Sequence, residues 1–193
     1  MDSLENAKAS LRREAIARRD AMPGAVRAAA AQAIAARPFP RSLSASMWLS
    51  GFMPLKSEIS PLPLMRKVAD AGAKLALPVI VGRGKPLAMR AYAFGDDLGS
   101  GVWGIREPLP DAPEVFPDVL LVPMLAFDRR GHRLGYGAGY YDLTITALRA
   151  RQPIIAVGIA FAEQEQTAVP TGPRDAALDL VLTEREVIEC RAA

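Results

Sequence analysis

The chain has 193 residues, half of them hydrophobic and 23% charged, the size and composition of one globular domain, which excludes a disordered or collagen-like protein. Its 24 basic and 21 acidic residues leave a formal charge of +3, and its 19 arginines are scattered through the chain, so nucleic-acid binding is not expected. A single cysteine, Cys190, permits no internal disulfide, a single histidine, His132, permits no multi-histidine zinc site, and no apolar run approaches the roughly 18 residues of a membrane span. The polar opening MDSLENAKAS lacks the apolar core of a secretory signal, so a cytoplasmic location is expected, with no membrane partner.

In chain order, the first 37 residues read as two helices. Leu4, Ala7, Leu11 and Ala15 recur at helical spacing, the Met22-Pro23-Gly24 turn interrupts them, and AVRAAAAQAIAAR resumes the pattern. Residues 44–50 read as a strand, and Ser60-Pro61 marks the start of a helix over 61–71. Strands are expected at 74–80 and 87–94 with GRGK as the turn between them, and the four prolines of 105–118 indicate a surface loop. The near-continuous apolar runs 119–127 and 153–161 have the composition of strands buried on both faces, Tyr140–Arg151 reads as a helix, and 178–183 as a last strand. Strand and helix alternate, which predicts an α/β fold: one domain over 1–193, three layers, and a mostly parallel central sheet with helices on both sides.

The stretch 119–142 carries the chemistry. Ligands of open α/β sheets bind beyond the carboxyl ends of strands, where the loop after Phe127 must lie. The alternation of Gly135, Gly137 and Gly139 removes side-chain bulk, so that successive N–H groups and the following helix N-terminus can converge on an anion. Arg133 can fork onto phosphate oxygens, Asp142 can hold Mg²⁺ one turn into the helix, and Tyr136, Tyr140 and Tyr141 offer flat faces to a ring. The pattern is neither a Walker A loop nor a dinucleotide fingerprint, and a glycine-rich turn with packing tyrosines is the plainer alternative. Lys8 and Arg12, four apart on the first helix, form either an anion contact or a solvated face, and Glu58, beyond a strand end, either accepts from a ring amide or is solvated. Cys190 has no activating neighbour, His132 is an acid–base candidate or a polar loop residue, Asp128 caps the loop or touches the site, and Trp103 fills the core in preference to walling a pocket.

Taken together and in order, these residues resemble the 5-formyltetrahydrofolate cyclo-ligase (5,10-methenyltetrahydrofolate synthetase) family. The likeness runs through Lys8-x-x-Leu11-Arg12, Met53 to Glu58, Gly104-Ile105-x-Glu107-Pro108, the 123–142 stretch, VGIAFAEQ at 157–164, and Val169-Pro170, Asp175, Leu178-Asp179 and Thr183-Glu184. It implies the three-layer sheet of sugar-phosphate isomerases and CoA transferases, and ATP- and Mg²⁺-dependent cyclisation of 5-formyltetrahydrofolate to 5,10-methenyltetrahydrofolate with release of ADP and phosphate. By the same resemblance, ATP contacts fall on Lys8, Arg12, Arg133, Leu134, Gly135, Tyr136, Gly137, Ala138, Gly139, Tyr140 and Tyr141. Folate contacts fall on Met53, Glu58 and the Tyr136–Tyr140 segment, metal carboxylates on Asp142 and Asp175, and the catalytic roles on Arg133 and Asp142. The partners implied are the two small substrates, and a monomer is expected, with a homodimer as the alternative. Relatives often carry Gly or Lys where this chain has Ala138, and Arg where it has Leu143, which bears on nucleotide affinity. A folate- or nucleotide-binding relative without turnover is the competing expectation; a sugar-phosphate isomerase or acyl transferase rests on fold analogy alone.

Overall fold

In the computed structural model, which describes residues 2–190, apolar runs become strands whose alternate side chains enter two separate cores. The chain forms helix α1 (Asp2–Ala21), helix α2 (Gly24–Ala36), strand β1 (Trp48–Ser50), helix α3 (Leu62–Asp70) and strands β2 (Lys74–Val79) and β3 (Ala88–Tyr92). There follow β4 (Leu98–Ser100), β5 (Arg106–Pro108), β6 (Val119–Pro123), β7 (Ala126–Phe127), β8 (Arg133–Leu134) and helix α4 (Tyr140–Arg151). Strands β9 (Ile155–Ile159), β10 (Leu180–Leu182) and β11 (Val187–Glu189) complete the order. The main sheet runs β11-β10-β9-β6-β1-β2-β3; β10 through β2 are parallel, and β11 and β3 close its edges antiparallel. No described helix is long and apolar enough to cross a membrane.

Leu75, Leu77, Val119, Leu121, Val157 and Ile159 face a core shared with α2 and α3. Their neighbours Ala76, Leu120, Val122 and Ala156 face the other core, closed by Ile145 and Leu148 of α4. Each large aliphatic side chain sealed this way contributes about 1.5–3 kcal/mol, and a strand with both faces covered has no polar side to alternate. The three-layer, mostly parallel architecture is the one expected.

Several boundaries differ from expectation. The apolar run 119–127 is not one strand: the chain leaves the sheet after Pro123, and β7 pairs antiparallel with β8 as a separate hairpin. The strand expected from 44 starts at Trp48, after a turn closed by Met47 N–H to Ser44 O at 3.0 Å. Within the proline-rich 105–118 loop, β5 pairs with β4, and β11 is an edge strand that short, mixed residues did not announce. The seam of α1 is not apolar: Ala7 is exposed, Leu4 and Leu11 are half-buried, and Lys8, Ala15 and Arg19 are the buried positions.

Asp128, 1% exposed, organises the turn between β7 and β8. Its carboxylate accepts from the backbone N–H of Arg130 (2.9 Å), His132 (3.2 Å) and Val169 (3.0 Å), and faces His132 Nδ1 at 3.2 Å. Burial pushes this carboxyl up, but the Val169, His132 and Arg130 hydrogen bonds outweigh burial and hold it below the ordinary carboxylate range. Its contribution is therefore present above that range and lost as pH falls through the lowered folded value. Asp128→Asn is expected to cost about 1.5–3 kcal/mol of unfolding free energy near neutral pH. In denaturant titrations the gap between parent and variant should shrink as pH falls through and below the ordinary carboxylate range; a gap that does not change with pH would assign the loss to shape alone.

Candidate active site

The sheet order places a switch point between β1 and β6. From β1 the chain passes through α3 to β2 on one side, and from β6 it passes through α4 to β9 on the other. The connections therefore diverge, and the segments leaving the carboxyl ends of β1 (51–60) and β6 (124–139) form the lips of a crevice, the place where open α/β sheets bind ligands. Helix α1 lies across that end and touches β7.

One end of the crevice is built of cations and free amides. The Arg133 side chain is 4% exposed and donates to Asp142 Oδ1 at 2.8 Å and to the Ala176 carbonyl; Ala176 N–H in turn donates to the same Asp142 oxygen at 3.0 Å. Burial lowers the guanidinium's pKa, and the Asp142 and Asp175 carboxylates oppose the shift. Lys8, 8% exposed, pairs with Asp175 Oδ2, which also accepts from Gly172 N–H at 2.8 Å and the Thr171 hydroxyl at 3.3 Å. Burial pushes the Asp175 carboxyl up, but Lys8 and these donors outweigh it and hold the group below its ordinary range. Arg12 donates from Nε to Gly135 O at 3.0 Å, and its guanidinium lies over Gly137. Lys8 and Arg12 are thus docked onto the site and are not a solvated face.

Among the described residues, none of the backbone N–H groups from Tyr136 through Asp142 donates to a protein acceptor. The first helical bond of this segment is Leu143 N–H to Gly139 O at 3.1 Å. Run together with the α4 N-terminus, these donors form an anion-binding concavity. Asp142 Oδ2 and Asp175 Oδ1 also accept no hydrogen bond among the described residues. No group of three or more metal-ligating side chains occurs there either, so a cation held here would draw most of its ligands from a bound anion and water.

The other end carries a carboxylate and aromatic side chains. Glu58 is half-buried, with Oε2 accepting from Leu55 N–H at 2.7 Å. Burial pushes its carboxyl up, against the Leu55 N–H, the Arg19 guanidinium and the Tyr136 hydroxyl. Met53, on the same lip, packs against the core. Tyr136 and Tyr140 stand on the glycine loop, and burial, then the Glu58 charge, keeps the Tyr141 phenol protonated. Trp103 is not in the core: it is 63% exposed, holds a left-handed backbone (φ 59°), and sets its ring edge-on to Tyr140 at 6.3 Å. Two residues went unnoticed in the sequence, Arg19 and Ser57; both are polar positions inside ordinary-looking segments, and only the buried polar network shows them.

The remaining candidates stay structural. His132 and Asp128 hold the β7–β8 turn. Burial, with Asp179 and Asp128 nearby, pushes the Cys190 thiol up to about 11 and leaves almost no thiolate nucleophile at neutral pH. The crevice therefore offers positive charge and amides at one end and a carboxylate with aromatic faces at the other. That arrangement suits transfer involving a phosphorylated compound and a polar heterocycle.

Residues 4–184 match the profile of the 5-formyltetrahydrofolate cyclo-ligase family. A Mycolicibacterium smegmatis protein called 5-formyltetrahydrofolate cyclo-ligase is 34% identical over 94% of this chain and 95% of its own length. An Escherichia coli protein of the same name is 33% identical over 72% of this chain and 78% of its own. The solved structure of Aquifex aeolicus 5,10-methenyltetrahydrofolate synthetase superposes with a TM-score of 0.79 at 27% identity, covering 96% of this chain and 94% of that one.

The glycine loop yields a paired test. Gly137 has φ 104°, and a Cβ there would stand 3.4 Å from the Arg12 guanidinium carbon, whereas Ala138 lies outside the left-handed region. Gly137→Ala is expected to lose about 1–2 kcal/mol from backbone strain. Ala138→Gly is expected to lose about 0.4–1 kcal/mol through unfolded-state entropy. Melting curves of the two variants check this; an Ala138→Gly protein that melts above the parent would contradict the assignment.

Proposed function

This chain belongs to the 5-formyltetrahydrofolate cyclo-ligase family, and from that membership we propose that it converts 5-formyltetrahydrofolate to 5,10-methenyltetrahydrofolate at the expense of ATP. The run of undonated N–H groups from Tyr136 to Asp142, flanked by Arg133 and Arg12, is the observation that carries the ATP assignment. In the reaction proposed, the formyl oxygen attacks the γ-phosphorus, the bond to the bridging oxygen breaks and ADP leaves. N10 then attacks the activated formyl carbon, loses its proton, and the carbon–oxygen bond breaks to release phosphate.

The protein's share is positioning and charge. Loop amides and Arg12 take phosphate oxygens, and Arg133, fixed by Asp142 and Ala176 O, presents a preorganised cation to the transferring group. Lys8 is neutralised by Asp175, so its part is to hold α1 and the 171–175 turn against the loop. Glu58 accepts from ring N–H groups of the pterin, Met53 packs beside it, and Tyr136 and Tyr140 flank the ring. The open oxygens of Asp142 and Asp175 fit Mg²⁺, which takes one or two carboxylates and otherwise phosphate and water oxygens and supplies charge neutralisation when bound.

The test follows methenyl product by absorbance and ADP by a coupled assay, in the parent and in Arg133→Ala and Asp142→Asn. One ADP per methenyl is expected, with no product when ATP or Mg²⁺ is omitted. Arg133→Ala should lose on the order of 10²–10³ in turnover, and Asp142→Asn should raise the Mg²⁺ requirement with 5-formyltetrahydrofolate binding kept. Near-parental turnover in both folded variants would contradict the mechanism, and a parent that binds folate without product would favour a binding relative.

A further inference from the structure

Arg19 is 3% exposed, and among the described residues no carboxylate pairs with it. Its acceptors are all neutral: Ser57 Oγ at 3.0 Å, Met124 O at 3.4 Å and the Tyr136 hydroxyl, over whose ring the guanidinium also sits at 5.6 Å. Removing a guanidinium from water costs several kcal/mol when no opposite charge meets it, and the solvated face of α1 would hold it at no such cost. Its three acceptors come from three segments: Ser57 from the lip after β1, Met124 from the end of β6, and Tyr136 from the glycine loop. One side chain thus bridges the lips of the crevice.

We propose that Arg19 is the positioning residue of the ring end of the site: its fork clamps the two lips together, sets Tyr136 opposite Glu58, and directs its charge at the Glu58 carboxylate. This rests on the folate assignment made above. Ser57 shares the clamp, accepting from Arg19 and donating to Asp20, so the one negative group near Arg19 on α1 is engaged through a hydroxyl. The groups facing Glu58 are Arg19 from α1, Tyr136 from the loop and Tyr141 from α4. Arg19 is the only cation among them, and it favours the charged form of Glu58 against burial. The Tyr136 hydroxyl accepts from Arg19, which ties its position in the crevice to the clamp. A lysine here would keep the charge and lose the fork, since one ammonium cannot serve three segments in fixed directions.

The experiment measures equilibrium binding of 5-formyltetrahydrofolate by calorimetry for the parent, Arg19→Met and Arg19→Lys, with KM for both substrates and the pH dependence of folate kcat/KM. Arg19→Met should weaken folate binding by about tenfold to a hundredfold while KM for ATP stays within about twofold. Its acidic limb should move to higher pH, because Glu58 loses the charge that favoured ionisation. Arg19→Lys should raise KM for folate with the acidic limb left where the parent has it. Parental folate affinity in either folded variant, or equal losses for ATP and folate, would overturn the proposal; should Arg19→Met not fold, the lysine variant decides by the same criterion. A parent that binds 5-formyltetrahydrofolate without converting it overturns the functional reading alone, and the binding comparison still decides Arg19. A parent that binds no folate overturns both.

Discussion

Arg133 carries a permanent charge to a position that water hardly reaches, and the geometry of the whole loop follows from how that charge is met. Asp142 Oδ1 takes the guanidinium and also Ala176 N–H, while Ala176 O takes the other arm of the fork. The three bonds fix the first turn of α4 against β8 and bring the 171–176 segment to the same place. Asp175 then stands where Lys8 can pair with it, and α1 is drawn onto the loop with Arg12 against Gly137. An unpaired guanidinium at this depth would cost several kcal/mol, so the arrangement is held as a unit.

Charge divides the crevice into two halves that share the glycine loop. On the Arg133 side, two carboxylates each hold a cation in place through one oxygen, while Arg12 and the loop amides have no carboxylate partner among the described residues and add to the positive potential there. On the Glu58 side the balance reverses in kind: a half-buried carboxylate faces one buried cation and two phenols. A substrate pair with polyanionic and heterocyclic parts meets opposite demands at opposite ends, and this separation keeps each from competing for the other's groups.

Strand–helix alternation made the sheet legible, because strands buried on both faces must be apolar throughout: 119–122 and 155–159 could be little else. The glycine loop was legible because its glycines, Arg133 and Asp142 lie close in sequence. Illegible parts have specific causes. Hairpin β7–β8 hides inside a continuous apolar run because leaving the sheet changes no hydropathy. Arg19 hides because periodicity is read on apolar positions, while the buried face of α1 holds Lys8, Arg12 and Arg19 at helical spacing. Trp103 was misplaced because its composition fits a core as well as a rim, and only its left-handed backbone and exposure settle it. Asp179 and Glu184, which the sequence resemblance includes, serve the frame: Asp179 accepts from Ala156 N–H at 2.7 Å and Glu184 from Ala162 N–H at 2.9 Å.

The most direct measurement of the central claim is a double-mutant cycle on the buried pair, using Arg133→Met, Asp142→Asn and the double variant, read in both unfolding free energy and turnover. If the pair is one device, the double variant loses less stability than the two single losses combined, by more than about 1 kcal/mol. It also turns over no more slowly than the worse single variant. Losses that add within about 0.5 kcal/mol in stability, and multiply in turnover, would show two independent residues and contradict the account.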